Sequence, residues 1–389
     1  MEPMLIRRES SHHAALSDLV LELGQKSIGL RYALPRGVAS ALADLLRVMN
    51  CYYSNLIEGH NTHPIDIERA LRQEYSADAK KRDLQLEAKA HITVQEWIDG
   101  GGLGGKAVSV AAIGEIHRRF YAALPEELPW VTDPDSGERF RVEAGAWRRR
   151  DVRVGLHVPV SAAAVPRFLQ RFEEVYGGLG KAEAVLAAAA AHHRLLWLHP
   201  FLDGNGRVAR LMSHATLVET LDTGAIWSIA RGLARNVEVY KRHLAACDQT
   251  RRNDLDGRGN LSEENLVAFT RFFLETCLDQ VAFMAGLLQP ELLRDRIMRW
   301  AEEEIQRDRI PPRSNLLLEA ILYRGEIPRA ASAGIVGTGE RQARRIVSEL
   351  SRWGVLVADD MRVPLRLGFP ATLASHWLPG LFPDKVEEA

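Results

Sequence analysis

At 389 residues the chain is long enough for two or three domains, and 46% hydrophobic with 26% charged residues is the composition of an ordinary globular protein. A formal net charge of −1 gives no whole-chain pull toward nucleic acid or a membrane surface. Cys51, Cys247 and Cys277 are scattered and odd in number, which points to neither a disulfide framework nor a zinc site. The charged Met1 to Ser10 stretch lacks a signal peptide's apolar core, and no run of about 18 apolar residues is present. The expectation is therefore a cytoplasmic protein.

Residues 1 to 35 carry a short helical pattern around Ala14 to Leu23. Pro35 to Gly59 reads as a helix, with Leu42, Leu45, Leu46, Met49, Tyr52, Tyr53 and Leu56 on one stripe and Gly59 as its stop. It ends in Ser54-Asn55-Leu56-Ile57-Glu58-Gly59. A carboxylate in a last helical turn faces the negative end of the dipole, a cost of about 0.3–1 kcal/mol. Glu58 therefore calls for a cation, and Ser54, one turn earlier, is placed to hydrogen-bond it.

Further helices are expected over Asn61 to Ala70, Asp83 to Ile98 and Val108 to Ala123. On the last of these, His117 reads as a satisfied structural histidine. Gly100 to Ala107 nearly satisfies a phosphate-loop pattern, but Ala107 stands where Ser or Thr is needed and no apolar strand precedes it, so a loop between helices is expected. Trp147 to Val158 alternates around Val152 and Val154, which predicts a β-hairpin.

Ala182 to Trp197 is alanine-rich and free of Pro and Gly, a helix ended by Pro200 at about His199. Arg207 to Leu221 carries apolar residues at helical spacing. Between them lies His199-Pro200-Phe201-Leu202-Asp203-Gly204-Asn205-Gly206-Arg207-Val208-Ala209-Arg210. Backbone N–H groups in a glycine turn at a helix start form an anion site, and Arg207 and Arg210, three apart, share a face toward outer phosphates. Asp203 at the lip suits Mg²⁺ shared with phosphate oxygens. His199, at an exposed corner with a pKa near ~6.5, suits a general base.

This run resembles the Fic family signature His-Pro-Phe-x-(Asp/Glu)-Gly-Asn-Gly-Arg-x-x-Arg at every fixed position, and Ser54 to Gly59 resembles the inhibitory motif (Ser/Thr)-x-x-x-Glu-(Gly/Asn) of self-restraining members. The resemblance implies AMP transfer from ATP to a Ser, Thr or Tyr hydroxyl of a protein. It makes His199 the base, Asp203 the Mg²⁺ ligand, Gly204, Asn205 and Gly206 the α- and β-phosphate cradle, and Arg207 and Arg210 the outer-phosphate ligands. It implies that Asn236 and Tyr240 line the base and ribose side, that Ser54, Glu58 and Gly59 restrain the enzyme, and that the 147–158 hairpin is the flap on which a target protein docks.

Past Asn253 to Gly257, whose calcium-loop likeness lacks the ligand ladder, Ser262 opens a helix that closes the core. Pro311-Pro312 marks a boundary. Asn315 to Tyr323 capped by Ser314, Pro328 to Ile335, and Gly339 to Trp353 capped by Thr338 read as helices, with Val355 to Val357 and Arg362 to Leu367 flanking an Asp359-Asp360 turn: a winged-helix layout. Arg341, Arg344 and Arg345 would face DNA in a reader, yet eight arginines against six acidic residues from 314 to 368 give only a weak basic balance. DNA, protein docking and homodimerisation all stay open.

The expected architecture is mostly α: an N-terminal helical region (1–105) that includes the inhibitory helix (35–59), a Fic core with a small hairpin flap (106–289), and a linker helix with a winged helix (290–389). Beside the adenylyltransferase reading stand two rivals, hydrolytic removal of AMP with Glu58 activating water, and a transcription regulator that senses nucleotide.

Overall fold

The computed structural model describes residues 1–133, 136–358, 360 and 362–383. It opens with α1 (His13–Tyr32), α2 (Arg36–Ile57), α3 (Pro64–Leu71) and α4 (Ala79–Asp99). The middle of the chain forms α5 (Val110–Ala122), strands β1 (Trp130–Thr132) and β2 (Arg139–Arg141), then α6 (Val165–Tyr176), α7 (Lys181–Leu198), α8 (Asn205–Leu221), α9 (Ile229–Arg235), α10 (Val237–Cys247) and α11 (Glu263–Leu287). The last part runs α12 (Pro290–Gln306), α13 (Ser314–Arg324), β3 (Glu326–Ile327), α14 (Ser332–Val336), α15 (Glu340–Arg352), β4 (Leu356–Val357), β5 (Leu365–Leu367) and α16 (Ala374–Trp377).

The close pairing of α7 with α8 sits at the centre. Ala187 to Ala191 are all buried, and side chains this small let the second helix axis approach closely. Around the pair, α1 and α11 cover one side, α4 and α5 another, and α2 lies across α4 and α9. The termination of α2 follows from Gly59, which takes φ +84. Gly59 N–H then donates to the Leu56 carbonyl and His60 N–H to the Asn55 carbonyl, a Schellman end that leaves Glu58 as the last residue of helical backbone.

The C-terminal part adds a three-stranded antiparallel sheet in the order β3-β5-β4, with Ile327 paired to Leu365 and Leu356 to Leu367. Strand β3 lies between α13 and α14, where only a connection was expected. Ser314 does not cap α13; its hydroxyl donates to the Pro311 carbonyl, and Arg313 at φ +69 precedes the helix. Asp359 of the expected turn lies outside the described residues. The part packs on α2: β5 contacts it, and the Tyr53 hydroxyl donates to the Leu381 carbonyl, 3.0 Å.

Two local expectations change. The hairpin expected over Trp147 to Val158 is reduced to a single bridge, Val154 with His157, while β1 pairs with β2 earlier in the chain, Val131 opposite Phe140. Alternation makes a sheet only if one face is buried, and Val154, Leu156 and Val158 are 42%, 103% and 70% exposed. The glycine loop at 100–107 is a loop, and its N–H groups are already taken: Gly105 and Ala107 donate to the Glu219 carboxylate.

Histidines are unusually deep in this core. Burial pushes His91 and His192 down to about 3, and His117 and His193 to about 4. These folded pKa values lie below the unfolded value near ~6.5, so the unfolded chain takes up protons first as pH falls. Stability is present above about pH 6.5 and is lost toward pH 4, by up to about 1.4 kcal/mol per pH unit for each such histidine. Urea midpoints measured at pH 7, 5.5 and 4.5 are expected to fall steeply; a flat series would contradict this.

Candidate active site

Pro200 ends α7, and His199 turns the chain out of the helix at φ +49, ψ +62, its N–H still donating to the Leu195 carbonyl. This left-handed geometry is uncommon outside glycine, and it carries a cost of order 1–2 kcal/mol that the surroundings must offset. Phe201 buries its ring in a 3.8 Å stack on His117. His117 accepts the Gly145 N–H at Nδ1, 2.9 Å, so Nε2 carries the proton toward the Asp203 carbonyl, 3.3 Å. It is the structural histidine expected.

The loop from Phe201 into α8 is closed by Asn205, which accepts the Phe201 N–H at Oδ1 and donates through Nδ2 to the Phe201 carbonyl, both 3.0 Å. Its side chain thus holds the shape of the turn. Gly204 takes φ +79, and a Cβ there would lie 2.8 Å from the Tyr121 ring, so this turn requires glycine twice over. The resulting N-terminus of α8, Asn205-Gly206-Arg207, faces the His199 end of α7 across the loop.

His199 is half-buried, not at an exposed corner, and its pKa is lowered to about 4. Burial is the main cause; the Leu196 backbone and the Asp203 charge push it up, the charges of Arg148 and His157 push it down. The imidazole is therefore neutral at pH 7, as a proton acceptor must be. Asp203 accepts the Tyr121 hydroxyl at Oδ2, 2.7 Å. Burial pushes its pKa up, but the Arg207 charge, the Tyr121 hydroxyl and the Gly204 N–H outweigh that and hold it below the usual value. It is thus an oriented, ionised carboxylate.

The two arginines of α8 pair with different carboxylates. Arg207, 8% exposed, reaches Glu87 of α4, Nη2 to Oε2 3.3 Å, with its guanidinium over the Phe120 ring. Glu87 also faces His60, 3.2 Å. Arg207 also faces Asp203 and Glu58 electrostatically, so its pairing with the α4 carboxylate does not take it out of the site. Arg210, 4% exposed at its side chain, donates through Nη2 to Glu58 Oε1, 2.5 Å. Burial pushes Glu58 up, and Arg210 pulls its pKa below the usual value.

Ser54 stands beside this pair in a different role from the one expected. Its hydroxyl accepts from Arg210 Nε, 2.8 Å, and its carbonyl from Nη2, 3.3 Å; it orients the arginine, not the carboxylate. Room for Glu58 comes from Gly206, where a Cβ would lie 2.4 Å from Oε1. Glu58 thus occupies the space directly over the first turn of α8.

The remaining expected residues come from α10 and its start. Tyr240 is buried, its hydroxyl 2.7 Å from His192 Nε2, and it also faces Arg210 and Glu58. Asn236 is exposed at the junction of α9 and α10, with Nδ2 donating to the Gly232 carbonyl. The residues the sequence did not single out are Tyr121, Glu87 and Arg148. Tyr121 and Glu87 sit on helices whose periodicity marks them only as packing positions, and Arg148 lies in a run of three arginines that reads equally well as surface charge.

Among the described residues no group of three or more His, Cys, Asp or Glu gathers to hold a metal. One oriented carboxylate, Asp203, fits the way Mg²⁺ is held when a polyphosphate supplies most of its oxygens.

Residues 107–217 match the family model described as the Fic/DOC family. The curated Protein adenylyltransferase Fic of Drosophila erecta is 28% identical over 169 residues, 43% of this chain and 31% of that protein. Its counterpart in Drosophila willistoni is 29% identical over the same share of each. The chain spans under a third of the length of these relatives. The crystal structure of a Fic family protein from Desulfovibrio desulfuricans G20 covers 93% of this chain and 98% of its own, with a TM-score of 0.55 at 15% identity, so the helical fold is shared along nearly the whole chain.

Proposed function

We propose, for a chain whose residues 107–217 form a Fic domain, that it transfers AMP from ATP to a Ser, Thr or Tyr hydroxyl of a protein and that Glu58 restrains it at rest. The observation that carries this reading is the juxtaposition of a neutral His199 at the end of α7 with the N–H-bearing first turn of α8, and Asp203 between them.

The step follows from those positions. A protein hydroxyl oxygen attacks the α-phosphorus while His199 accepts its proton. The bond from the α-phosphorus to the bridging oxygen breaks, and pyrophosphate leaves. The start of α8 holds the phosphates through backbone N–H groups and the helix dipole, and Arg210 serves the outermost phosphate once Glu58 releases it. Asp203 would hold Mg²⁺, which would supply further charge neutralisation. Catalysis by this chain is then mainly positioning and proton acceptance. A target segment would lie along the exposed 154–158 turn as an added strand.

The direct test is labelled ATP with Mg²⁺ in cell lysate, with purified protein added. Label in protein from α-labelled but not γ-labelled ATP is the expected result; release of AMP from a modified protein instead would favour the hydrolytic direction. A further expectation concerns Asp203→Ala. It should lose activity that added Mg²⁺ partly restores, because the one oriented carboxylate is gone. An unchanged Mg²⁺ dependence would make Asp203 a structural residue.

A further inference from the structure

Arg148 belongs to the run Trp147-Arg148-Arg149-Arg150, yet its side chain is 0% exposed while that of Arg149 is 84% exposed. Its Nε donates to the His199 carbonyl, 2.8 Å, its Nη1 to the Arg150 carbonyl, 2.8 Å, and its Nη2 to the Val160 carbonyl. Its backbone N–H donates to the Pro200 carbonyl, 2.9 Å. The carboxylate beside it, Asp151, is 3.8 Å away and 77% exposed. A buried charge is tolerated only when its donors are satisfied. Here the rigid guanidinium fork does that with carbonyls from both ends of the 150–160 segment and from the proposed base.

The same segment has a second anchor. His157 Nε2 lies 2.7 Å from the Trp197 carbonyl in the last turn of α7. Between the two anchors the chain keeps the lone Val154–His157 bridge and leaves Leu156 fully exposed. A segment with so little internal pairing has no rigidity of its own. What fixes it beside His199 is Arg148 on one side and His157 on the other.

We propose that Arg148 is a positioning residue for group transfer: it locks the carbonyl of His199 in its left-handed turn and ties the 150–160 segment to it, so that the hydroxyl of a target docked along that segment's exposed turn meets the imidazole. This rests on the AMP-transfer reading of the site. Groups that face the His199 ring electrostatically are Arg148, His157 and Asp203, so replacing the arginine also alters the charge around the base.

The experiment uses the full chain carrying Glu58→Gly, with Arg148→Lys and Arg148→Met added separately. It reads α-labelled ATP incorporation as kcat and as KM for ATP, and amide hydrogen exchange across the chain. Both variants are expected to lose about 10²-fold in kcat, the scale of a misplacement near 1 Å, with KM for ATP unchanged. Exchange at 150–160 should quicken while α7 and α8 stay protected. Arg148→Met should also move the acid limb of the rate profile up from about 4, whereas Arg148→Lys, which keeps the charge, should not. A kcat within about twofold of the parent in either variant, or a KM for ATP that rises in step with the loss, overturns the proposal. If the Glu58→Gly parent does not label at all, AMP transfer is what fails; unchanged exchange at 150–160 would then still refute the anchoring role of Arg148.

Discussion

Glu58→Gly is expected to raise the rate of labelled AMP incorporation by one or more orders of magnitude. The Arg210 guanidinium is 4% exposed and held by Glu58 at 2.5 Å, and a hydrogen bond to a charged partner is worth about 1.5–3 kcal/mol net. At about 1.4 kcal/mol per tenfold, removing that competitor releases roughly ten- to a hundred-fold. The arginine does not collapse when Glu58 is lost, because Ser54 still takes Nε through its hydroxyl and Nη2 through its carbonyl. It stays aimed at the start of α8, ready for an outer phosphate. The substitution also removes the carboxylate from the space over Gly206.

Arg210→Ala should not imitate this effect, since it deletes the phosphate contact along with the inhibitory one. The measurement is incorporation by wild type, Glu58→Gly, and the double variant at saturating ATP and Mg²⁺. A Glu58→Gly enzyme no faster than wild type would refute restraint by Glu58. A double variant faster than Glu58→Gly would show that Arg210 is not the group being contested.

His199→Ala is expected to abolish nearly all transfer, by ~10²–10⁴-fold, the range attributed to a positioned base, while nucleotide binding persists. Because His199 sits at φ +49, His199→Asn is the better-folded control: asparagine tolerates that region more readily than alanine. Both should bind ATP with wild-type affinity by calorimetry. The base is neutral down to about pH 4, and its proton-accepting form is lost as pH falls through that value. The rate should therefore stay level from pH 7 to about 5.5, with circular dichroism at each pH separating rate loss from the acid unfolding expected of the buried histidines. Transfer in His199→Asn at the wild-type rate would remove the imidazole from the chemistry, and an acid limb near 6.5 in wild type would show a base less buried than the structure has it.

Much of the site was legible in sequence because it is built from interactions a few residues apart. Pro200 stops α7, Gly204 makes the turn into α8 at φ +79, and Gly59 ends α2 with Glu58 as its last helical residue. Each is a matter of φ preference or of hydrogen bonds spanning three to five positions. The link between Glu58 and Arg210, 152 residues apart, was half legible: a carboxylate at a helix C-terminus calls for a cation, and packing decided which one. Only the tertiary structure decided where the other side chains turn. Ser54 serves Arg210 and not Glu58; Arg207 meets Glu87 because α4 packs where it does; Asn205 holds its own turn, and Tyr240 reaches His192 beside Arg210. The alternating 147–158 segment forms one bridge because nothing covers its apolar side. His199 shows the division most plainly. Its place at the end of a helix follows from the proline beside it, but its neutrality follows from burial and from the Arg148 charge 51 residues away in sequence, and desolvation is a property of the packed fold that no local spacing encodes.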